Sequence, residues 1–107
     1  MLREPLEAVR SRLLLRLDYS GTPKQIDYKL GVLLWMSRYL LSKNLPHHWQ
    51  VMTGTVIRTF YCEDEYTLLK SLDALLQSRV STGGSVLDTP ANAAWWHYIG
   101  GDANETA

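Results

Sequence analysis

The stretch from about residue 24 to residue 43 constrains the fold most, because it is apolar on both sides of a helix. One side carries Ile26, Leu30, Leu33 and Leu40, and the other carries Tyr28, Val32, Trp35 and Tyr39. A helix apolar on both sides is usually buried on both sides, so this segment is expected at the centre of the fold. Thr22-Pro23 supplies an N-cap and a first-turn proline, and Asn44-Leu45-Pro46 ends the segment.

Helical spacing organises much of the remainder. Pro5, flanked by Glu4 and Glu7, opens a first helix whose apolar face is Leu6, Val9, Leu13 and Leu17, with Leu15 falling roughly opposite. Ser20-Gly21-Thr22-Pro23 breaks it. A third segment after Pro46 keeps helical spacing in Trp49, Met52, Val56, Ile57 and Phe60, yet Thr53, Gly54, Thr55 and Thr59 favour extended backbone. Helix is the preferred reading, since a lone short strand has no pairing partner elsewhere in an otherwise helical chain. The alternative is a hairpin turning at Thr53-Gly54, with 49–52 against 55–62.

Glu63-Asp64-Glu65 is an acidic start for a fourth helix reaching about Val80, with a stripe of Tyr66, Leu69, Leu72, Leu76 and Val80 flanked by Leu68 and Leu75. Ser81-Thr82-Gly83-Gly84-Ser85 is a flexible connector. Asp88-Thr89-Pro90 starts a short helical segment over 91–99 that Gly100-Gly101 stops, and 102–107 reads as a disordered tail. The expected fold is all-α, a single four- to five-helix bundle over residues 1–101 around the helix at about 24–43. The alternative is α+β, with a small hairpin at about 49–62.

The chemistry-bearing residues are few. One cysteine, Cys62, forms no intramolecular disulfide and no multi-cysteine zinc site. His47 and His48 are adjacent, so on a helix they point about 100° apart, and they read as surface or capping histidines rather than metal ligands. Three carboxylates directly after Cys62 oppose a reactive thiolate, which favours a half-buried structural cysteine. Gly83-Gly84 lacks the Lys-Ser/Thr of a phosphate loop, and no Gly-x-Ser-x-Gly elbow occurs. Neither a catalytic residue set nor a metal or cofactor is expected. The first residues do not read as a secretory signal, and the longest apolar run, at 32–36, is far short of the ~20 residues of a membrane span. A cytoplasmic setting fits, and the Asn104-Glu105-Thr106 sequon reads as chance.

Charge and aromatics suggest what the chain binds. Its 11 Lys+Arg and 11 Asp+Glu cancel, but residues 1–43 hold eight bases and four acids, while 44–107 hold three bases and seven acids. Four tryptophans and six tyrosines are many for 107 residues, and such side chains dominate protein interfaces. Adjacent Trp95 and Trp96 cannot both face one core from a helix. The favoured expectation is a non-enzymatic protein-binding module: an adaptor, inhibitor or subunit of a larger assembly that occludes or bridges a partner surface. Tyr28, Trp35, Tyr39, Trp95 and Trp96 would be its anchors, with Arg12 and Arg16 adding electrostatic complementarity. The alternative is a nucleic-acid-associated subunit holding phosphates with Arg10, Arg12, Arg16 and Lys24, which expects steeply salt-dependent binding. A symmetric homodimer through the second helix is a third expectation.

Overall fold

The computed structural model describes residues 12–100, and these form an α+β fold, two helices on a four-stranded mixed sheet, in place of the expected helical bundle. Strand β1 (Leu13–Asp18) is followed by helix α1 (Pro23–Ser42), the hairpin β2 (His47–Thr53) and β3 (Val56–Cys62), helix α2 (Glu65–Leu76), a 3-10 turn (Val86–Asp88) and β4 (Trp95–Ile99). The strand order is β3-β2-β1-β4. β1 runs parallel to both neighbours, with Leu15 beside Trp49 and His97, and β2 and β3 are antiparallel, with Trp49 opposite Phe60.

The expected first helix is corrected in its second half, where Leu13 and Leu17 belong to β1. Leu15, which did not fit the helical face, carried the signal: Leu13, Leu15 and Leu17 alternate along one face, as a strand requires. Leucine's helical preference is overridden by that burial. Residues 1–11, with the rest of that helix, and the tail at 102–107 lie outside the described residues.

Helix α1 begins as expected. Thr22 Oγ1 accepts from the Gln25 amide at 3.2 Å, and Gln25 Oε1 accepts from the Thr22 amide at 2.8 Å. Its expected central position is corrected. The helix lies on the sheet by one face, burying Lys29, Leu33 and Ser37 and leaving the aromatic side open. Lys29 Nζ donates to the carbonyls of Asp18 (2.9 Å) and Ser20 (2.8 Å), tying α1 to the end of β1.

The helix at 46–61 gives way to the hairpin alternative, two residues longer at its start. The turn is Gly54-Thr55 between the paired Thr53 and Val56, with Gly54 at φ +51°. Burial alternates along β2, with His47, Trp49, Val51 and Thr53 inward. β1 is the partner whose absence argued against a strand. Helix α2 starts at an Asp64–Thr67 capping box but stops at Leu76, short of Val80, and buries Leu68, Ser71 and Leu75. The expected stripe is therefore rotated, with Tyr66, Leu69, Leu76 and Val80 exposed. The helix expected over 91–99 is likewise corrected: Trp-Trp-His-Tyr-Ile is β4, as its aromatic, β-favouring composition suits.

The two helices cover Leu15, Leu17, Trp49, Val51, Phe60, Cys62 and Ile99. The connector from α2 to β4 crosses the opposite face. There Val86 is buried, and a Cβ on Gly84, at φ +81°, would sit 3.1 Å from Met52 Cε. Arg16 and Asp18 bind the connector down. Arg16 donates to Gln50 Oε1 (2.7 Å), the Thr89 carbonyl (2.7 Å) and the Val86 carbonyl, while Asp18 accepts from Ser85 Oγ (2.6 Å), the Val86 amide (2.8 Å) and the Tyr98 hydroxyl (2.8 Å). No helix of the described residues is long and apolar enough to cross a membrane. Asp18→Ala leaves three donors without their acceptor and Arg16 without its neighbouring anion. It is expected to lower stability by about 3 kcal/mol in urea unfolding, with faster amide exchange in β4.

Candidate functional site

At 100° per residue, the buried positions of α1 are flanked on one side by Leu30, Leu34 and Leu41, and on the other by Tyr28, Val32, Trp35 and Tyr39. The leucine flank packs against the core. On the other flank Val32 also packs against the core, but the rings are open: Tyr28 is 41%, Trp35 71% and Tyr39 55% exposed. Helix α2 packs on β3 at one side of the sheet, whereas α1 packs on β1 and β4. The leucine flank thus turns toward α2, whereas Trp35, about 160° round the helix from Leu33, and Tyr28 and Tyr39 beside it turn away from the sheet. Trp35 and Tyr39 are stacked at 6.3 Å, and Lys43 Nζ sits 5.6 Å from the Tyr39 ring. Gly31 has nothing within 4 Å of its Cβ position and leaves a shallow groove beside Trp35, Tyr39, Leu34 and Arg38. Arg38 crosses to Glu65 of α2 at 2.8 Å, an exposed ion pair that orients the groove wall and adds little stability.

Strand alternation puts Trp95 and His97 of β4 on the helix side and Trp96 on the other. Trp95 and His97 stack at 6.3 Å with planes 11° apart, and Trp96 lies over the Arg16 guanidinium at 5.0 Å. Both tryptophans are less than half exposed, at 43% and 44%. The difficulty of two adjacent tryptophans facing one core is resolved by the strand, which sends them to opposite faces. The five expected anchors are thus all partly exposed, Trp95 and Trp96 on opposite faces of β4 and Tyr28, Trp35 and Tyr39 on the outward side of α1.

The expected basic residues do not join into a patch. Arg16 is 2% exposed, and its guanidinium is used inside the fold. Arg12 is half-buried just before β1, and Lys24 is exposed in the first turn of α1, beyond the other end of that strand, roughly 20 Å away at ~3.3 Å per residue. Arg10 lies outside the described residues.

A buried polar cluster was missed by the sequence reading, which put His47 and His48 on a helix. Ser37 of α1 hydrogen-bonds His47 Nε2, Trp49 Nε1 donates to Ser37 Oγ at 3.2 Å, and His47 Nδ1 donates to the Leu45 carbonyl at 3.1 Å. Because that carbonyl can only accept, the proton is on Nδ1, and Nε2 takes the Ser37 hydroxyl. This resembles the start of a nucleophile–base pair, but Ser37, His47, Trp49 and Cys62 are all sealed from solvent, so it works as a strut between α1 and β2. The signal was the i, i+2 spacing of His47, Trp49 and Val51. Burial also raises the Cys62 thiol pKa, against the opposing hydrogen bonds of Ser71 and Ser37. His48, on the other face, is 4.8 Å from the Tyr61 ring, and its Nδ1 has no partner among the described residues. Among those residues no group of three or more His, Cys, Asp or Glu could hold a metal ion.

Comparison with protein-family models, curated proteins and solved structures finds no match to this chain.

Burial lowers the His47 pKa from its ordinary value of about 6.5, the Leu45 hydrogen bond opposing this, and burial likewise lowers that of His48, aided by Arg12 and His47. With folded values below unfolded ones, their stabilising contribution is complete above pH ~6.5 and is lost as pH falls through that value toward the folded pKa. The urea midpoint is expected to drop on acidification from pH 7 to 5, and to drop less in His47→Gln. A midpoint constant over that range would contradict a neutral, buried His47.

Proposed function

We propose that the protein is a non-enzymatic protein-binding module whose partner docks on the border formed by β4 and the aromatic flank of α1. The observation that carries this reading is the exposure of five large aromatic side chains, with Trp35 and Tyr39 stacked on α1 and Trp95 and Trp96 on β4, the last strand of the sheet among the described residues. Monomeric proteins rarely leave large contiguous apolar patches open, and Trp and Tyr are the residues most enriched at binding hot spots. Among the described residues β4 ends the sheet, and an edge strand can be extended by a strand of another chain, which would add a second element of recognition. Rigid rings would supply contact area at low entropic cost, and the backbone ladder would fix register. Lys43 beside Tyr39 and Arg38 beside Trp35 would set the polar rim of the interface.

This reading places the anchors at Tyr28, Trp35, Tyr39, Trp95 and Trp96, with Arg12 near one end of the border and Arg16 supporting Trp96 from within. The dispersal of Arg12 and Lys24 gives the nucleic-acid alternative no comparable support.

The test is a variant that strips the flank without touching the core. Trp35→Ala with Tyr39→Ala should change the melting temperature little, since both rings are mostly in water. It should weaken capture of specific partners from the native cell extract by about tenfold or more, read by quantitative mass spectrometry against the unaltered chain. An identical captured set at unchanged intensity would overturn the assignment.

A further inference from the structure

We propose that the groove between the tip of the β2–β3 hairpin and the segment leaving α2 binds a phosphate group, free or as a monoester, held by Arg58 and Arg79. This site is separate from the aromatic residues of α1 and β4 and goes beyond the reading given for them. It arises from a mismatch of lengths. Val56 and Arg58 stand opposite Thr53 and Val51, so they lie on the helix face of the sheet. Helix α2 packs on β3 but ends at Leu76. Arg58 therefore meets Ser78, just past the helix, at 2.5 Å, and Val56 is left 57% exposed. The chain then turns back over the hairpin tip. The Gly54 amide donates to the Arg79 carbonyl at 3.0 Å, and the Thr82 amide donates to the Gly54 carbonyl at 3.1 Å. These bonds fix one wall of the groove against the other. The space between them is about 450 Å³, the size of a small-molecule site.

Two guanidinium groups line this groove and no carboxylate does. Residues 44–107 hold three bases against seven acids, so this sorting runs against the composition of its surroundings. The third base, Lys70, lines a smaller groove on the same β3–α2 seam, which shares Arg58 and also has no acid in its lining. A cleft lined by charges of one sign concentrates ligands of the other. Arg58 gives one N–H to Ser78 Oγ and rests over the Phe60 ring at 5.0 Å, which aims the group and leaves further donors unspent. The Arg79 guanidinium has no hydrogen-bond or ion-pair partner among the described residues. The carbonyls at the end of α2, which would repel an anion, are engaged: Asp73 by the Gln77 amide (3.2 Å), Ala74 by the Ser78 hydroxyl (3.0 Å) and Leu75 by the Ser78 amide (2.9 Å). The Asp73 carboxylate is itself held by Gln77 Nε2 at 2.9 Å. Phosphate suits such a pair because its several oxygens accept from two planar guanidinium forks at once. Val56 and the half-exposed Val80 offer an apolar wall to the organic part of a monoester.

The test follows amide chemical shifts of the full chain during titration with inorganic phosphate from about 0.1 to about 50 mM, with sodium chloride holding the ionic strength constant. Shifts at Gly54, Arg79, Val80 and Thr82 should saturate with phosphate and not with chloride alone. Arg58→Gln and Arg79→Gln should each weaken binding about fivefold or more. Lys43→Gln removes the same charge beside the other end of β2, roughly 20 Å away at ~3.3 Å per residue, and should leave binding within about twofold. Arg79→Gln keeps the backbone bond to Gly54, so it stands by itself if Arg58→Gln does not fold. Parallel titrations with phosphoserine and adenosine monophosphate separate the sources. Tighter binding of either identifies a monoester seated against Val56 and Val80, and equal or weaker binding of both identifies free phosphate. Shifts that grow linearly across the range, that chloride reproduces, or that persist undiminished in Arg79→Gln overturn the proposal.

Discussion

A charged pair within a central strand governs the architecture. Arg16 and Asp18 alternate with Leu15 and Leu17 in β1, so the strand that anchors the apolar core on one face presents ionised groups on the other. Such groups are tolerated under cover only when their hydrogen-bonding capacity is met, and the sheet itself supplies only Gln50 and Tyr98. The carbonyls of Val86 and Thr89, the Val86 amide and the Ser85 hydroxyl make up the rest. A long irregular connector is thereby held on one path, and the edge strand it delivers arrives beside β1. Replacing the pair with apolar residues could hold a sheet, but the connector would lose what directs it.

The two flanks of α1 explain each other in the same way. Both are apolar, but the leucines pack against the core whereas Tyr28, Trp35 and Tyr39 remain exposed. Among the described residues the ring-bearing side of this helix stays exposed, an unusual place for Trp35 and Tyr39 on a protein surface. The charges are arranged differently: the excess of bases in residues 1–43 is partly consumed internally, by Arg16 at the connector and Lys29 at the end of β1.

What was legible in the sequence was local. The Thr22-Pro23 start, the Asn44-Leu45-Pro46 stop and the acidic opening of α2 each rest on capping chemistry that needs no distant partner, and they match the structure closely. Exposure of the aromatic residues, held open between core and interface, depended on what covered them and could not be read. The strands were lost because each owes its state to a distant neighbour. Leu13 to Leu17 is strongly helix-favouring by composition and becomes extended only through β2 and β4. The hairpin was visible as an alternative, since Gly54 and the β-branched residues around it act locally, but it was set aside for want of a partner strand. That partner had been assigned to a helix. The misreading of β1 thus propagated to 46–61, and the buried Ser37–His47–Trp49 cluster went with it, while 91–99 was misread separately from its Asp88-Thr89-Pro90 start.

The placement of β4 has a consequence for how the chain reaches its fold. β1 is paired on one side with a strand about thirty residues downstream, across the α1 crossover, and on the other with a strand about eighty residues away. The β1-α1-β2-β3 portion can therefore assemble from comparatively near contacts, while the last strand must close the longest loop and does so at the greatest entropic disadvantage. Until it arrives, one edge of the central strand stands open, with Arg16 and Asp18 uncovered. During synthesis that interval lasts as long as the ribosome needs to deliver the remaining residues. The slot beside β1 is thus the last part of the sheet to be filled, and the covering of Arg16 and Asp18 depends on its being filled.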